Sequence, residues 1–168
     1  MPLLRLPAAD RSPTRWRNGG GVTREIASAP DGSWRVSLAE IAADGPFSTF
    51  PGLARILTVV AGSGLELTVG DEPPVRPAPR TPFAFPGDVP TSARLLGGPV
   101  SALNVMSRGF TADVRLVDAG APVELLPAPG GLLLAVELTG YDAVLATHPG
   151  EPGGLPGPAA LIALTPPT

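Results

Sequence analysis

The chain contains no cysteine. That removes a disulfide framework, a thiolate nucleophile and every cysteine-based metal site. There is one histidine, His148, so metal sites built from three histidines, or from two histidines and a carboxylate, cannot form within a single chain. A Ser-His-Asp triad would have to use His148, which lies in a Pro/Gly-rich stretch and reads as a solvated loop residue. Lysine is absent too. All 12 basic residues are arginines, which a high-GC coding bias explains most simply. A net charge of −3 and a pI near 5.1 argue against nucleic acid, because phosphate binding needs a clustered basic face. The N-terminus lacks the apolar core of a signal peptide, and no apolar stretch approaches the roughly 20 residues of a membrane span. A soluble, cytoplasmic protein is expected, with no cofactor, no metal, and neither nucleic acid nor membrane as partner.

What the chain has in abundance is turns. Its 168 residues include 21 glycines and 23 prolines, while charged residues make up only 16%. Between these breakers run short apolar segments with period-2 alternation. Residues 22–28 set Val22, Arg24 and Ile26 against Thr23, Glu25 and Ala27. Residues 34–41 set Trp34, Val36, Leu38 and Glu40 against Arg35, Ser37, Ala39 and Ile41. Asp31-Gly32 between them is a hairpin signal. Residues 55–70 read as strand, Gly-Ser-Gly turn, strand, and faintly parallel residues 131–145. An N-terminal arm opens with an edge strand. No window holds a helical period over three turns, and strands recur every 8–12 residues, which predicts an all-β sandwich or barrel. Residues 148–158, dense in Pro-Gly steps, read as a mobile loop.

Three clusters carry candidate chemistry. Gly19-Gly20-Gly21 matches neither nucleotide-binding glycine pattern. It is either a tight turn letting two strands pack closely or the back of a ligand pocket. Arg35 and Arg55 sit in apolar strands, where a guanidinium needs a partner. That partner is an internal carboxylate, Glu25 or Glu40, or else a small carboxylate ligand. Glu25 and Glu40 would also be the only obvious acid/base pair. Thr23, Ser37 and Ser48 are hydroxyls beside apolar neighbours, suited to bonding backbone at strand ends or a ligand. Trp16 and Trp34 read as core or pocket wall.

The blocks Trp16-Arg17-Asn18-Gly19-Gly20-Gly21-Val22-Thr23, Trp34 to Ile41, and Asp44-Gly45-Pro46-Phe47-Ser48 through Phe50-Pro51-Gly52 to Arg55 together resemble the HutD/Ves family. Phe85-Pro86-Gly87-Asp88, leading through Gly98-Pro99 to Leu103-Asn104-Val105-Met106-Ser107-Arg108, is similar to the same pattern. The resemblance spans roughly residues 14–108. It implies a cupin, RmlC-like jelly-roll fold, a compact bicupin with a short second barrel. Residues 1–168 would then be one unit, with a cupin-like core over about 14–108 and a shorter β-lobe over about 109–168. It also implies a regulatory role in histidine utilisation or stress response through binding a small acid such as formylglutamate or urocanate, without established catalysis. The implied ligand-binding set is Asn18, Thr23, Arg35, Ser37, Glu40, Ser48, Arg55, Asn104 and Met106. One departure is Ala102, where the family usually carries an acidic residue. By analogy with cupin-type barrels, the partner would be an anionic small molecule and the assembly a homodimer. Two other readings compete: a metal-independent cupin enzyme acting on a small organic acid, and a β-sandwich module that binds protein.

Overall fold

Glycine and proline cut the chain into strands too short to bury themselves, so their order in the sheets decides the core. The computed structural model describes residues 3–123, 125–148, 153–154 and 157–168. Among them sixteen strands follow in order. The first eight are β1 (Leu4–Leu6), β2 (Pro13–Arg15), β3 (Gly21–Ser28), β4 (Trp34–Ile41), β5 (Gly45–Pro46), β6 (Ala54–Ala61), β7 (Leu65–Val69) and β8 (Phe83–Pro86). The rest are β9 (Thr91–Leu95), β10 (Val100–Ser107), β11 (Thr111–Val117), β12 (Pro122–Val123), β13 (Leu132–Glu137), β14 (Ala143–Ala146), β15 (Gly153–Gly154) and β16 (Ala159–Thr165). One 3-10 turn spans Ala8–Asp10. The all-β class implied by the sequence is the class observed. Most of the expected loop 148–158 lies outside the described residues.

Two compact units divide the chain. One is Ser12–Arg108; the other joins Met1–Arg11 to Gly109–Thr168. In Ser12–Arg108 a six-stranded sheet, ordered β2-β3-β4-β10-β6-β8, accompanies a three-stranded sheet, β5-β9-β7. Ala39, Ile41, Leu57, Val59, Val100 and Ala102 of the larger sheet pack with Leu65, Leu67 and Ala93 of the smaller one, forming its core. The Asp31-Gly32 turn joins β3 to β4 as expected, with the Ser33 amide donating to the Asp31 carboxylate at 2.9 Å. The Gly62-Ser63-Gly64 turn does not make a hairpin. It carries the chain from one sheet to the other, since β6 pairs with β8 and β10 whereas β7 pairs with β9.

The second unit is built on a five-stranded sheet, β1-β14-β13-β16-β11. Here β13 and β14 do form a hairpin, so the faint parallel between residues 55–70 and 131–145 does not extend to their pairing. The centre of this sheet is apolar on both faces: Leu134, Val136, Ala160, Ile162 and Leu164 on one, Ala135 and Leu161 on the other, all buried.

Candidate functional site

Strand register assembles the site. Directly paired residues of an antiparallel sheet share a face. Met106 on β10 lies opposite Arg35 of β4 and opposite Arg55 of β6, and Arg55 in turn lies opposite Phe85 of β8. The next row holds Glu25, Ser37, Asn104 and Leu57. Further along the same face the next row holds Ala39, Ala102 and Val59 and is apolar apart from Thr23, which lies opposite Ala39. One inner face thus carries polar groups at one end and core at the other.

Arg55 is 5% exposed. Its guanidinium lies over three aromatic rings, 5.4 Å from the centroid of Phe47, 5.1 Å from Phe50 and 4.9 Å from Phe85. A cation over aromatic faces is attracted by the ring quadrupoles, more so when desolvated. Its NH1 donates to the Ser48 carbonyl at 3.2 Å, and its buried Nε has no partner among the described residues. Burial, helped by the nearby charge of Arg35, pushes its pKa down to about 10. Arg35, half-buried, approaches the ring of Phe50 at 5.4 Å, so two guanidinium groups flank one phenylalanine. Among the described residues neither arginine has a carboxylate within ion-pair distance. Beside them Asn104, 7% exposed, leaves its Oδ1 buried and unpartnered. Such orphaned polar groups are rare in folded proteins and mark strain, catalysis or a missing partner.

The loop over the arginines is pinned by two of the recognised blocks. The Phe50 amide donates to the Gly87 carbonyl, the Gly87 amide to Leu53, and the Gly52 amide to the Asp88 carboxylate. A Cβ at Gly87 would stand 2.6 Å from the carbonyl oxygens of Phe50 and Leu53, so only glycine admits this closure. The triple glycine works the same way: a Cβ on Gly21 would meet the Glu40 carbonyl at 2.7 Å and the Trp16 ring at 2.9 Å. It supplies close packing, the first of the two readings open for it. Trp16 then donates to Thr23 Oγ1 at 2.8 Å and meets Phe47 edge-on at 5.9 Å.

The nine candidate residues divide accordingly. Arg35, Ser37, Arg55, Asn104 and Met106 come together on one face, with Ser37 and Met106 almost wholly buried. Asn18 does not join them. Its amide is used within its loop, Oδ1 accepting from Gly20 and Nδ2 donating to the Pro46 carbonyl. Thr23 Oγ1 accepts from Trp16 instead. Ser48 reaches Arg55 through its carbonyl, not its hydroxyl. Glu40 alternates onto the opposite face and pairs with Arg24 at 3.1 Å, with half of its side chain exposed. The internal ion pair expected of Arg35 or Arg55 with Glu25 or Glu40 is absent among the described residues, and Glu25, in register with Ser37, cannot face Glu40 across the sheet.

The aromatic trio Phe47, Phe50 and Phe85 was the part missed at the level of sequence. The signal was a strand arginine flanked by two Phe-Pro-Gly blocks. His148 is exposed, its Nδ1 3.0 Å from the Thr147 hydroxyl. Among the described residues no three His, Asp or Glu side chains group as a metal site would require, and no helix is long and apolar enough to cross a membrane.

Relatives share this architecture. HutD from Pseudomonas fluorescens SBW25, in a structure labelled with a formate condition, superposes with a TM-score of 0.84 at 29% identity, over 98% of each chain. A conserved protein of unknown function, PA5104 from Pseudomonas aeruginosa PAO1, gives a TM-score of 0.82 at 27% identity, over 98% of this chain and 97% of that one. An uncharacterised 21.2 kDa protein of Pseudomonas putida, described by its position in the hutC 3′ region, is 41% identical over 111 residues, 63% of this chain. That match spans 57% of the relative's own length. A HutD family model matches residues 8–140, well over half of the sequence, and the chain belongs to the HutD family.

Proposed function

We propose that this protein binds a small organic acid between Arg35 and Arg55 and releases it unchanged, acting in the cytoplasm as a metabolite-responsive regulator of histidine utilisation. One observation carries this reading: two guanidinium groups approach the Phe50 ring on the inner face, and among the described residues no carboxylate lies within ion-pair distance to neutralise them. A partly desolvated pair of like charges is costly, and an anion relieves that cost. A planar carboxylate suits a guanidinium fork. The unpartnered Asn104 oxygen adds a second requirement, since it accepts hydrogen bonds only. The preferred ligand therefore carries an N–H or O–H donor near its carboxylate, a description that formylglutamate and urocanate both meet. The formate condition of the related HutD structure is in keeping with a small carboxylate. The unit formed by Met1–Arg11 and Gly109–Thr168 would serve as the second, ligand-free lobe of a bicupin.

The enzyme reading loses its acid/base pair, because Glu25 and Glu40 belong to opposite faces of the sheet. The protein-binding module reading predicts a broad exposed apolar patch. The large apolar side chains exposed among the described residues, Leu4, Leu96 and Leu126, lie far apart in sequence, Leu4 on β1, Leu96 just after β9 and Leu126 between β12 and β13.

Thermal unfolding with formylglutamate, urocanate, formate, glutamate and histidine tests the proposal. A ligand at 100 times its Kd stabilises by roughly 2.7 kcal/mol. A rise in Tm with one acid, lost in both Arg35→Ala and Arg55→Ala, supports it. No rise with any of the five, or a rise that survives both substitutions, overturns it.

A further inference from the structure

Sheet edges expose unpaired backbone groups, and proteins blunt them with short strands, prolines, charge or cover. Nearly every edge here is blunted. β1 is three residues long with Arg5 at its centre, β2 begins with Pro13, β5 is Gly45–Pro46, and β8 ends in Pro86. The outer side of β7 is covered, because Leu67 and Val75 exchange two backbone hydrogen bonds of 2.8 Å. β11 is the exception. It runs seven residues, Thr111–Val117, contains no proline, and pairs only with β16. Among the described residues no other backbone group hydrogen-bonds to it.

The sequence of β11 is complementary to itself. Two copies running antiparallel about Val114 place Asp113 opposite Arg115 of the second copy, and Arg115 opposite its Asp113. Both side chains are exposed, share one face of the strand, and make no ion pair among the described residues. On the other face the same pairing sets Val114 against Val114 and Ala112 against Leu116. The edge strand β1 behaves oppositely, since self-pairing about its centre would set Arg5 against Arg5. Cross-strand opposite charges stabilise a sheet and like charges oppose it.

We infer that β11 is a self-association edge, and that two copies of this chain join through it about a two-fold axis into one continuous antiparallel sheet. A two-fold pairing is closed, so the assembly stops at a dimer. It is independent of the anion site.

Sedimentation equilibrium of the full chain, from micromolar to hundreds of micromolar, is the test. The wild type is expected to form a dimer that added salt weakens, because the two ion pairs are exposed. Asp113→Arg and Arg115→Asp each replace two attractions by two repulsions, and each is expected to weaken the dimer at least ~10-fold. The double variant restores the pairing in reverse and recovers the dimer. Far-UV circular dichroism of each variant excludes unfolding, and the double variant keeps the test decisive if a single one fails to fold. A monomer throughout the range, an open series of larger species, or a dimer indifferent to the single substitutions overturns the inference.

Discussion

The inner face of the six-stranded sheet and the centre of the five-stranded sheet are made of the same kind of strand, yet they hold opposite contents. Around Ala135 the five-stranded sheet places Val144 and Leu161, and around Leu134 it places Leu145 and Ile162. Its interior is aliphatic and its energetics are those of packing. The six-stranded sheet has largely apolar rows at one end, but at the other it buries Arg55 and Asn104 with polar atoms that find no partner among the described residues. Natural sheets do not hold such groups for stability. The contrast separates a region whose interior is packing alone from one that carries the cost of unpartnered polar atoms, the cost the proposed ligand would relieve.

Substitutions can break this comparison. The largest effect is expected in the aliphatic sheet. Leu134 is fully buried, and Leu134→Ala should cost ~2–5 kcal/mol by denaturant unfolding, while the affinity for the small acid, measured well below the Tm, stays at the wild-type value. A loss of affinity there would join the two regions that the comparison separates.

The arginines come next. Charged hydrogen bonds contribute about 1.5–3 kcal/mol, so Arg35→Ala should weaken binding roughly 10- to 100-fold by calorimetric titration. The pH dependence follows from Arg55. Its folded pKa of about 10 lies below the ordinary guanidinium value, so it loses its proton as pH rises past 10 while the unfolded chain keeps one. Its burial is unfavourable below pH 10 and is relieved as pH rises from 10 toward the ordinary guanidinium value, so its contribution to stability rises over that window. Anion affinity moves the other way and should fall as pH passes 10.

Asn104→Leu sharpens the contrast by making the polar row resemble its aliphatic counterpart. Removing an unsatisfied buried acceptor should stabilise the free protein by ~1–3 kcal/mol and weaken the ligand that used it. A destabilised variant would mean that Asn104 is satisfied by the protein alone. The smallest effect belongs to Glu40. Its pair with Arg24 is exposed, so Glu40→Gln should change stability by less than ~0.5 kcal/mol and leave binding untouched.

Much of this was legible in the sequence because it is local. Alternation in residues 34–41 showed a strand, and Asp31-Gly32 showed the turn before it. The blocks from Trp16 to Arg108 marked where the site would form. What was not legible depended on pairing between distant strands. Glu40 belonged to the candidate set because it lies near Arg35 and Ser37 in sequence, yet strand alternation sends it to the other face. Asn18, Thr23 and the triple glycine carried ligand-binding chemistry by residue type, but they close a loop around Trp16. Phe47, Phe50 and Phe85 stood in the resembling blocks without a role of their own, and only the pinned loop and β8 bring them onto one guanidinium.

By itself the sequence determined the all-β class and the absence of cysteine chemistry and histidine-rich metal sites, since those follow from composition and from a period that each strand carries alone. The tertiary structure decided which charges go unpaired. Arg35, Arg55 and Met106 are separated by tens of residues and become neighbours only through the register of β4, β10 and β6. A one-residue slip in that register would send every one of these side chains to the opposite face.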